Sequence, residues 1–174
     1  MQLSILLPAK NEARNLESLL PKILARHPDA EIILIDDGST DATLEICNKH
    51  GIRRIAHPYT MGNGAAVKSG ARAACGETLV FMDADGQHDP EDIARLLERL
   101  DQGYDMVVGA RTTGSHAGAH RALGNTLFNR IASWMVGHRV EDLTSGFRAV
   151  RADKFRKFLH LLPNGFSYPT TTTM

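Results

Sequence analysis

Hydrophobic and polar positions follow two different rhythms along this chain. Leu3 to Leu7, Glu31 to Ile35 and Thr78 to Met82 are short, nearly continuous apolar runs rich in β-forming residues. Pro8 follows the first, Asp36 the second, and Gly76 and Gly86 flank the third, so each predicts a buried strand. Between them the apolar residues recur at three and four. Ala13 to Arg26 carries Leu16, Leu19, Leu20, Ile23 and Leu24 at that spacing and predicts a helix. Asp41 to His50, Ala65 to Ala74 and Pro90 to Leu100 predict three more. Ser39 and Thr40 offer capping side chains to the second, and Pro90 with Glu91 and Asp92 suits the first turn of the fourth. Ile52 to Ala56 and Asp105 to Gly109 predict weaker strands. Such alternation predicts an α/β sandwich with a mainly parallel central sheet covered by helices on both faces. In sheets of this kind ligands gather at the carboxyl ends of the strands.

Beyond Gly109 the rhythm changes. Thr112 to Gly118 reads as a loop, and Ala119 to Val136 as a longer helix with Leu123, Leu127, Phe128, Ile131, Trp134 and Met135 near one face. That face suits core packing; Arg121 and Arg130 among apolar residues would also suit contact with a membrane surface. The last stretch, Asn164 to Met174, is Thr-rich and reads as a frayed tail or an interrupted chain. No repeat or linker divides the sequence, so residues 1–174 are expected to form a single domain truncated at its C-terminus.

Composition narrows the classes. A length of 174 residues supports one domain with a substantial core. The formal net charge is zero, which argues against a nucleic-acid partner. Cys47 and Cys75 are too few for a disulfide framework and are expected as buried free thiols in a reducing cytoplasm. The first residues lack the basic start and long apolar stretch of a signal peptide, and no window of about 18 apolar residues predicts a membrane span.

Chemistry concentrates at the predicted strand ends. Asp83-Ala84-Asp85 follows the Thr78 to Met82 run. Desolvating two carboxylates costs several kcal/mol without a partner, and a hard divalent cation such as Mg²⁺ or Mn²⁺ supplies one. Asp83, Asp85 and Gln87 at alternate positions present three oxygen ligands, and a substrate diphosphate would complete the shell. Asp36-Asp37-Gly38-Ser39-Thr40-Asp41 places two adjacent acids after the second strand, more than a capped turn needs. Such a carboxylate can accept from a base N–H or from ribose hydroxyls. Pro8-Ala9-Lys10-Asn11-Glu12, after the first strand, would form a second wall of a nucleoside pocket. Met61 to Gly70 opens a helix with glycines. Val67 stands where a Walker loop needs Gly, and the segment follows the third strand, where a dinucleotide fingerprint would follow the first. It is a Gly-assisted turn in which Gly64 and Lys68 could meet a nucleotide or an acceptor.

Taken in order, the Pro8 to Glu12 start, Asp36 to Asp41, Gly62-Asn63-Gly64, Asp83-Ala84-Asp85 and Asp142-Leu143-Thr144-Ser145-Gly146-Phe147-Arg148 resemble a family 2 glycosyltransferase with the GT-A fold. Asp83 to His88 with Asp142 to Arg148 looks most like the dolichol- or polyprenyl-phosphate mannose or glucose synthases. The resemblance implies an inverting, metal-dependent hexosyltransferase using a GDP- or UDP-sugar, with a lipid-phosphate acceptor and peripheral contact at the cytoplasmic membrane face. By position it implies that Pro8, Ala9, Asn11, Glu12, Asp36, Asp37, Asp83 and Ala84 bind the donor, and that Asp83, Asp85 and Gln87 hold Mg²⁺ or Mn²⁺. Asp85 and Asp142 would be catalytic, with Arg111 and Arg121 on substrate phosphate. The alternative is a catalytically incomplete nucleotide-sugar binding module that needs a partner or a further C-terminal segment. A phospho-receiver would want its acid pair after the first strand. A nucleotidyltransferase would want a Gly-rich basic loop there, which Pro8 to Glu12 does not supply.

Overall fold

The computed structural model describes residues 2–110, 130, 133–134, 137, 142–165 and 167–173. Within them the strands are β1 (Leu3–Ala9), β2 (Glu31–Asp36), β3 (Arg53–Ala56), β4 (Thr78–Phe81), β5 (Met106–Val108) and β6 (Arg148–Arg151). The helices are α1 (Ala13–Arg26), α2 (Thr43–Lys49), α3 (Asn63–Ala73), α4 (Asp92–Asp101), α5 (Ala152–Phe158) and α6 (Tyr168–Thr173), with a 3-10 turn at Leu159–Leu161. The strands form one sheet in the order β3-β2-β1-β4-β6-β5. β3, β2, β1 and β4 run parallel, whereas β6 is antiparallel to both β4 and β5.

Both faces are covered. α1, α2 and α4 pack Leu16, Leu20, Ile46 and Ile93 against Ile5, Leu7, Leu34 and Val80 on one side. α3, α5 and α6 pack Ala66, Val67, Phe155 and Tyr168 against Leu6, Ile33, Ile35 and Phe81 on the other. This two-sided burial explains why the central strands read as unbroken apolar runs. Gly70 lets α3 lie close to the sheet, since a Cβ there would come within 2.8 Å of Ile35 Cδ1.

Several expectations are corrected. β1 does not stop at Pro8 but runs to Ala9, with Pro8 opposite Ile35 of β2. Leu6 O faces β4, accepting from Met82 N–H, and Ala9 O faces β2, accepting from Asp37 N–H. Pro8 therefore presents its nitrogen toward β4, beyond the last β1–β4 pair at Leu6 and Phe81. With no N–H to continue the register set by Met82 and Leu6, Pro8 ends the ladder with β4 while β1 goes on pairing with β2. α2 starts at Thr43, and Ser39 and Thr40 do not cap it. The carboxylate of Asp41 accepts from Thr43 N–H at 3.1 Å, while Ser39 and Thr40 bond to Asn11. α4 starts at Asp92, with Asp89 accepting from Glu91 N–H at 3.0 Å. β6 and α5 were not expected. The Thr-rich end is no frayed tail up to Thr173, because α6 buries Tyr168 completely. Cys47 is buried as expected, but Cys75 is exposed, just past the end of α3. The predicted loop Thr112 to Gly118 and most of the predicted helix Ala119 to Val136 lie outside the described residues.

Candidate active site

The order β2-β1-β4 puts a topological switch point between β1 and β4, where connections leave in opposite directions. A crevice outside the strand ends follows from that arrangement. The cleft there has a volume of ≈ 470 Å³ and is lined by Pro8, Ala9, Lys10 and Glu12 after β1, and by Asp37 after β2. Asp83, Ala84 and Asp85 line it after β4. Thr60, Gly62, Asn63 and Ala66 come from the β3–α3 turn, Thr144 and Gly146 from the segment before β6, and Pro169 from α6.

On the β2 side the acids are held by the protein itself. Asp36, expected to bind the donor, is 1% exposed and is not part of the cleft lining; its Oδ1 accepts from Ser39 N–H at 2.7 Å and its Oδ2 from Arg54 Nε at 2.9 Å. Burial pushes its carboxyl pKa up, but the bonds from Ser39 and Arg54 outweigh that and hold it below the usual range. Asp37 accepts from Met61 N–H at 2.7 Å, Gly62 N–H at 2.9 Å and His57 Nδ1 at 2.8 Å. Again burial raises the pKa, and these bonds overcome it and leave it lowered. The glycine turn before α3 thus does bind an anion, and that anion is the chain's own Asp37.

Gly64 and Lys68 face elsewhere. Gly64 N–H donates to Gly165 O, and a Cβ at Gly64 would lie 2.1 Å from Pro163 O. Lys68 Nζ donates to Leu162 O at 2.9 Å and to Asn164 Oδ1. Both tie residues 162–165 to α3, outside the cleft lining. Asn11 sits at φ 57°, and its Oδ1 accepts from Thr40 N–H at 2.8 Å. It clips the loop after β1 to the loop after β2 and does not itself line the cleft.

On the β4 side Asp83 and Asp85 both line the cleft, and Asp85 Oδ1 accepts from Gln87 N–H at 3.0 Å. Gln87 itself is exposed and is not part of the lining. A Cβ at Gly146 would come within 2.5 Å of Asp83 Oδ2, so glycine there leaves room for that carboxylate. Asp142 is not in the same cleft. It lines a neighbouring hollow of ≈ 810 Å³ between α4 and β5, and its Oδ1 accepts from Thr144 N–H at 3.1 Å. His88 stacks on Phe147 in the lining of that hollow, with ring centroids 4.8 Å apart. Arg111 and Arg121 lie outside the described residues.

Sequence reasoning missed the residues that support this side. Arg148 is fully buried, although it begins a strand. Its guanidinium donates to Ser145 O, Pro169 O and Thr172 Oγ1 and lies over the Tyr168 ring, 5.7 Å from the centroid. Burial lowers its pKa against the opposing pull of Tyr168, Asp83 and Asp142. Thr144 and Gly146 stood inside a segment already singled out, so their motif was a usable signal. Pro169 and His57 had none beyond an aromatic-proline pair in a polar tail and a histidine at a strand end.

Residues 4–159 match the family model described as Glycosyl transferase family 2. The chain belongs to that family. A polyprenol monophosphomannose synthase of Mycolicibacterium smegmatis is 28% identical over 167 residues, spanning 88% of this chain and 63% of that protein. A dolichyl-phosphate hexose transferase of Haloferax volcanii is 35% identical over 162 residues, spanning 91% of this chain and 68% of that protein. Among solved structures, glucosyl-3-phosphoglycerate synthase from Mycobacterium tuberculosis, in complex with Mn²⁺ and UDP-glucose, superposes with a TM-score of 0.72 and 25% identity. That match covers 97% of this chain and 62% of the other. The fold is therefore the GT-A fold expected of the family, with a mixed, mostly parallel sheet. The chain spans about half to two thirds of the length of the curated relatives it matches.

Proposed function

We propose that this family 2 glycosyltransferase chain moves a hexose from a nucleoside-diphosphate sugar to a phosphate-bearing lipid, polyprenyl or dolichyl phosphate, with inversion at the anomeric carbon. One observation supports this above the rest: a single cleft at the β1/β4 switch point carries a base-side acid, Asp37, on one wall and the Asp83/Asp85 pair on the other. The related lipid-phosphate transferases support the acceptor class.

The donor set fits a divalent cation. Two hard carboxylates stand at one strand end, and among the described residues no group of three His, Cys, Asp or Glu forms a closed cage. Mg²⁺ or Mn²⁺ suits such an incomplete shell, since it completes its coordination with substrate phosphates and water. Asp83 and Asp85 would hold it, in keeping with the Mn²⁺ in the related synthase complex. A cation bound there neutralises charge growing on the leaving diphosphate.

The chain's own residues do the rest. Asp37 accepts from the nucleobase, with Pro8, Ala9 and Glu12 beside it. Buried Arg148 holds Ser145 and α6 in place and so fixes Thr144, Gly146 and Pro169 along the cleft. Asp142, in the neighbouring hollow, is on the acceptor side. A phosphate acceptor is already ionised at neutral pH, its second pKa being about 6, so Asp142 positions it. With a hydroxyl acceptor, Asp142 would be the general base. Arg111 and Arg121 are proposed to meet phosphate, which a guanidinium matches in two-point fashion. Among the described residues no helix is long and apolar enough to cross a membrane; peripheral attachment at the cytoplasmic face is the proposed location.

Thermal-shift titration with UDP, GDP and their sugars, with and without Mn²⁺, tests the cleft. A nucleotide shift enhanced by Mn²⁺ is expected, and Asp85→Ala should lose the Mn²⁺-dependent part. A variant responding like the parent refutes the metal assignment, and a parent that ignores all nucleotides refutes the cleft reading. Transfer of labelled hexose to 3-phosphoglycerate but not to polyprenyl phosphate would overturn the acceptor assignment.

A further inference from the structure

Asp37 stands in the cleft with its carboxylate largely spent on the protein. Oδ1 accepts from Met61 N–H at 2.7 Å and from His57 Nδ1 at 2.8 Å; Oδ2 accepts from Gly62 N–H at 2.9 Å. A carboxylate offers about four acceptor directions, two on each oxygen. Three are filled, and the one that remains belongs to Oδ2. An ionised carboxylate can only accept, so His57 Nδ1 carries the proton that joins them. The other ring nitrogen, Nε2, lies 2.9 Å from Ser69 Oγ on α3. A serine hydroxyl can donate to a neutral imidazole or accept from a protonated one, so the ring keeps its orientation in either state. The backbone fixes it as well, because His57 N–H donates to Asp36 O at 2.8 Å. At 9% exposure the ring has no solvent alternative to these partners.

We infer that His57 is a specificity-determining residue: by filling the acceptor direction of Asp37 Oδ1 that Met61 N–H leaves, it reduces the carboxylate to one acceptor direction, on Oδ2, which selects a uracil-type base over guanine. Uracil presents a single ring N–H between two carbonyl oxygens and needs one acceptor. Guanine presents a ring N–H beside an exocyclic amine and needs both carboxylate oxygens open. With Oδ1 taken, one guanine donor would be desolvated without a partner, and a site that leaves a buried polar group unpaired discriminates strongly. The inference rests on the nucleotide-sugar reading of the cleft and names the donor class that reading left open.

Calorimetric titration of UDP and of GDP, each with Mn²⁺, into the 174-residue chain tests it. The parent is expected to bind UDP at least about tenfold more tightly than GDP. His57→Phe, which removes the donor and keeps the bulk, should bring the two within about threefold of each other. His57→Asn can keep an amide donor near the Nδ1 position and should preserve the preference. Ser69→Ala should weaken it in part. A role confined to stability would lower the melting temperature of these variants without changing the ratio. A parent that binds GDP as well as UDP overturns the inference while leaving the cleft reading intact, as does an unchanged ratio in His57→Phe. A parent that binds neither overturns the cleft reading itself. If His57→Phe does not fold, the parent's ratio together with His57→Asn and Ser69→Ala still decides.

Discussion

The acid pairs after β2 and β4 look alike in sequence, each a pair of aspartates closing an apolar run, but they are built differently. Asp36 and Asp37 receive bonds from Ser39, Arg54, His57, Met61 and Gly62, so the protein has already satisfied most of their capacity. Asp85 receives one such bond within the described residues, from the Gln87 N–H next to it in its own turn. The first pair is bound in place, with Asp37 alone reaching the cleft, and its charge holds the β2, β3 and α3 junctions together. Asp85, in the second, leaves oxygen capacity for a ligand. A carboxylate at a strand end is thus read by what already points at it, and only the coordinates give that.

Three substitutions and a titration would sharpen or break this contrast. The largest effect is expected from Asp85→Asn: sugar transfer should fall by at least about a hundredfold, the scale of losing a group that stabilises developing charge. Its folding stability should stay within about 0.5 kcal/mol of the parent in urea. A large stability loss without loss of transfer would mean that this side, too, is structural. Arg54→Met should behave oppositely. It strands buried Asp36 and should cost about 3 kcal/mol of stability in the same assay, with the Mn²⁺ response retained.

The acid titration is expected to have a smaller effect. Asp36 and Asp37 have folded pKa values below their ordinary ones, so they add stability that is fully present above about pH 4 and is lost as pH falls through their folded values. Urea midpoints should decline in that window, and Arg54→Met should show a shallower decline there. The smallest effect belongs to Arg26→Ala. Its ion pair with Glu91 is more than half exposed on both sides, and its removal should cost under about 0.5 kcal/mol.

Much of the fold was legible because the central strands are buried on both faces, and unbroken apolar runs such as Ile32 to Ile35 leave little choice. β6 was not, because Arg148-Ala149-Val150-Arg151 begins and ends in arginine and pattern reading assigns that residue to the surface. Its burial depends on Ser145, Tyr168 and Thr172, contacts that no local rhythm encodes. In the site, Pro8, Ala9, Glu12, Asp37, Asp83, Ala84 and Asp85 were found from their strand-end positions and do share one cleft. Asn11, Asp36, Gly64 and Lys68 were drawn in by the same logic, yet the structure spends them on holding loops and strands together. Adjacency in a motif shows that residues are near the cleft and leaves open which way each side chain turns.

The antiparallel insertion of β6 also bears on how the chain is made. β4 is wholly buried, and within the sheet β6 is its partner on the side away from β1. While a ribosome is still adding the residues between them, Thr78–Phe81 presents a bare row of amides and carbonyls, the sort of template on which nascent chains stick to one another. Fragments ending before Arg148 should therefore sediment where the 174-residue chain stays dissolved.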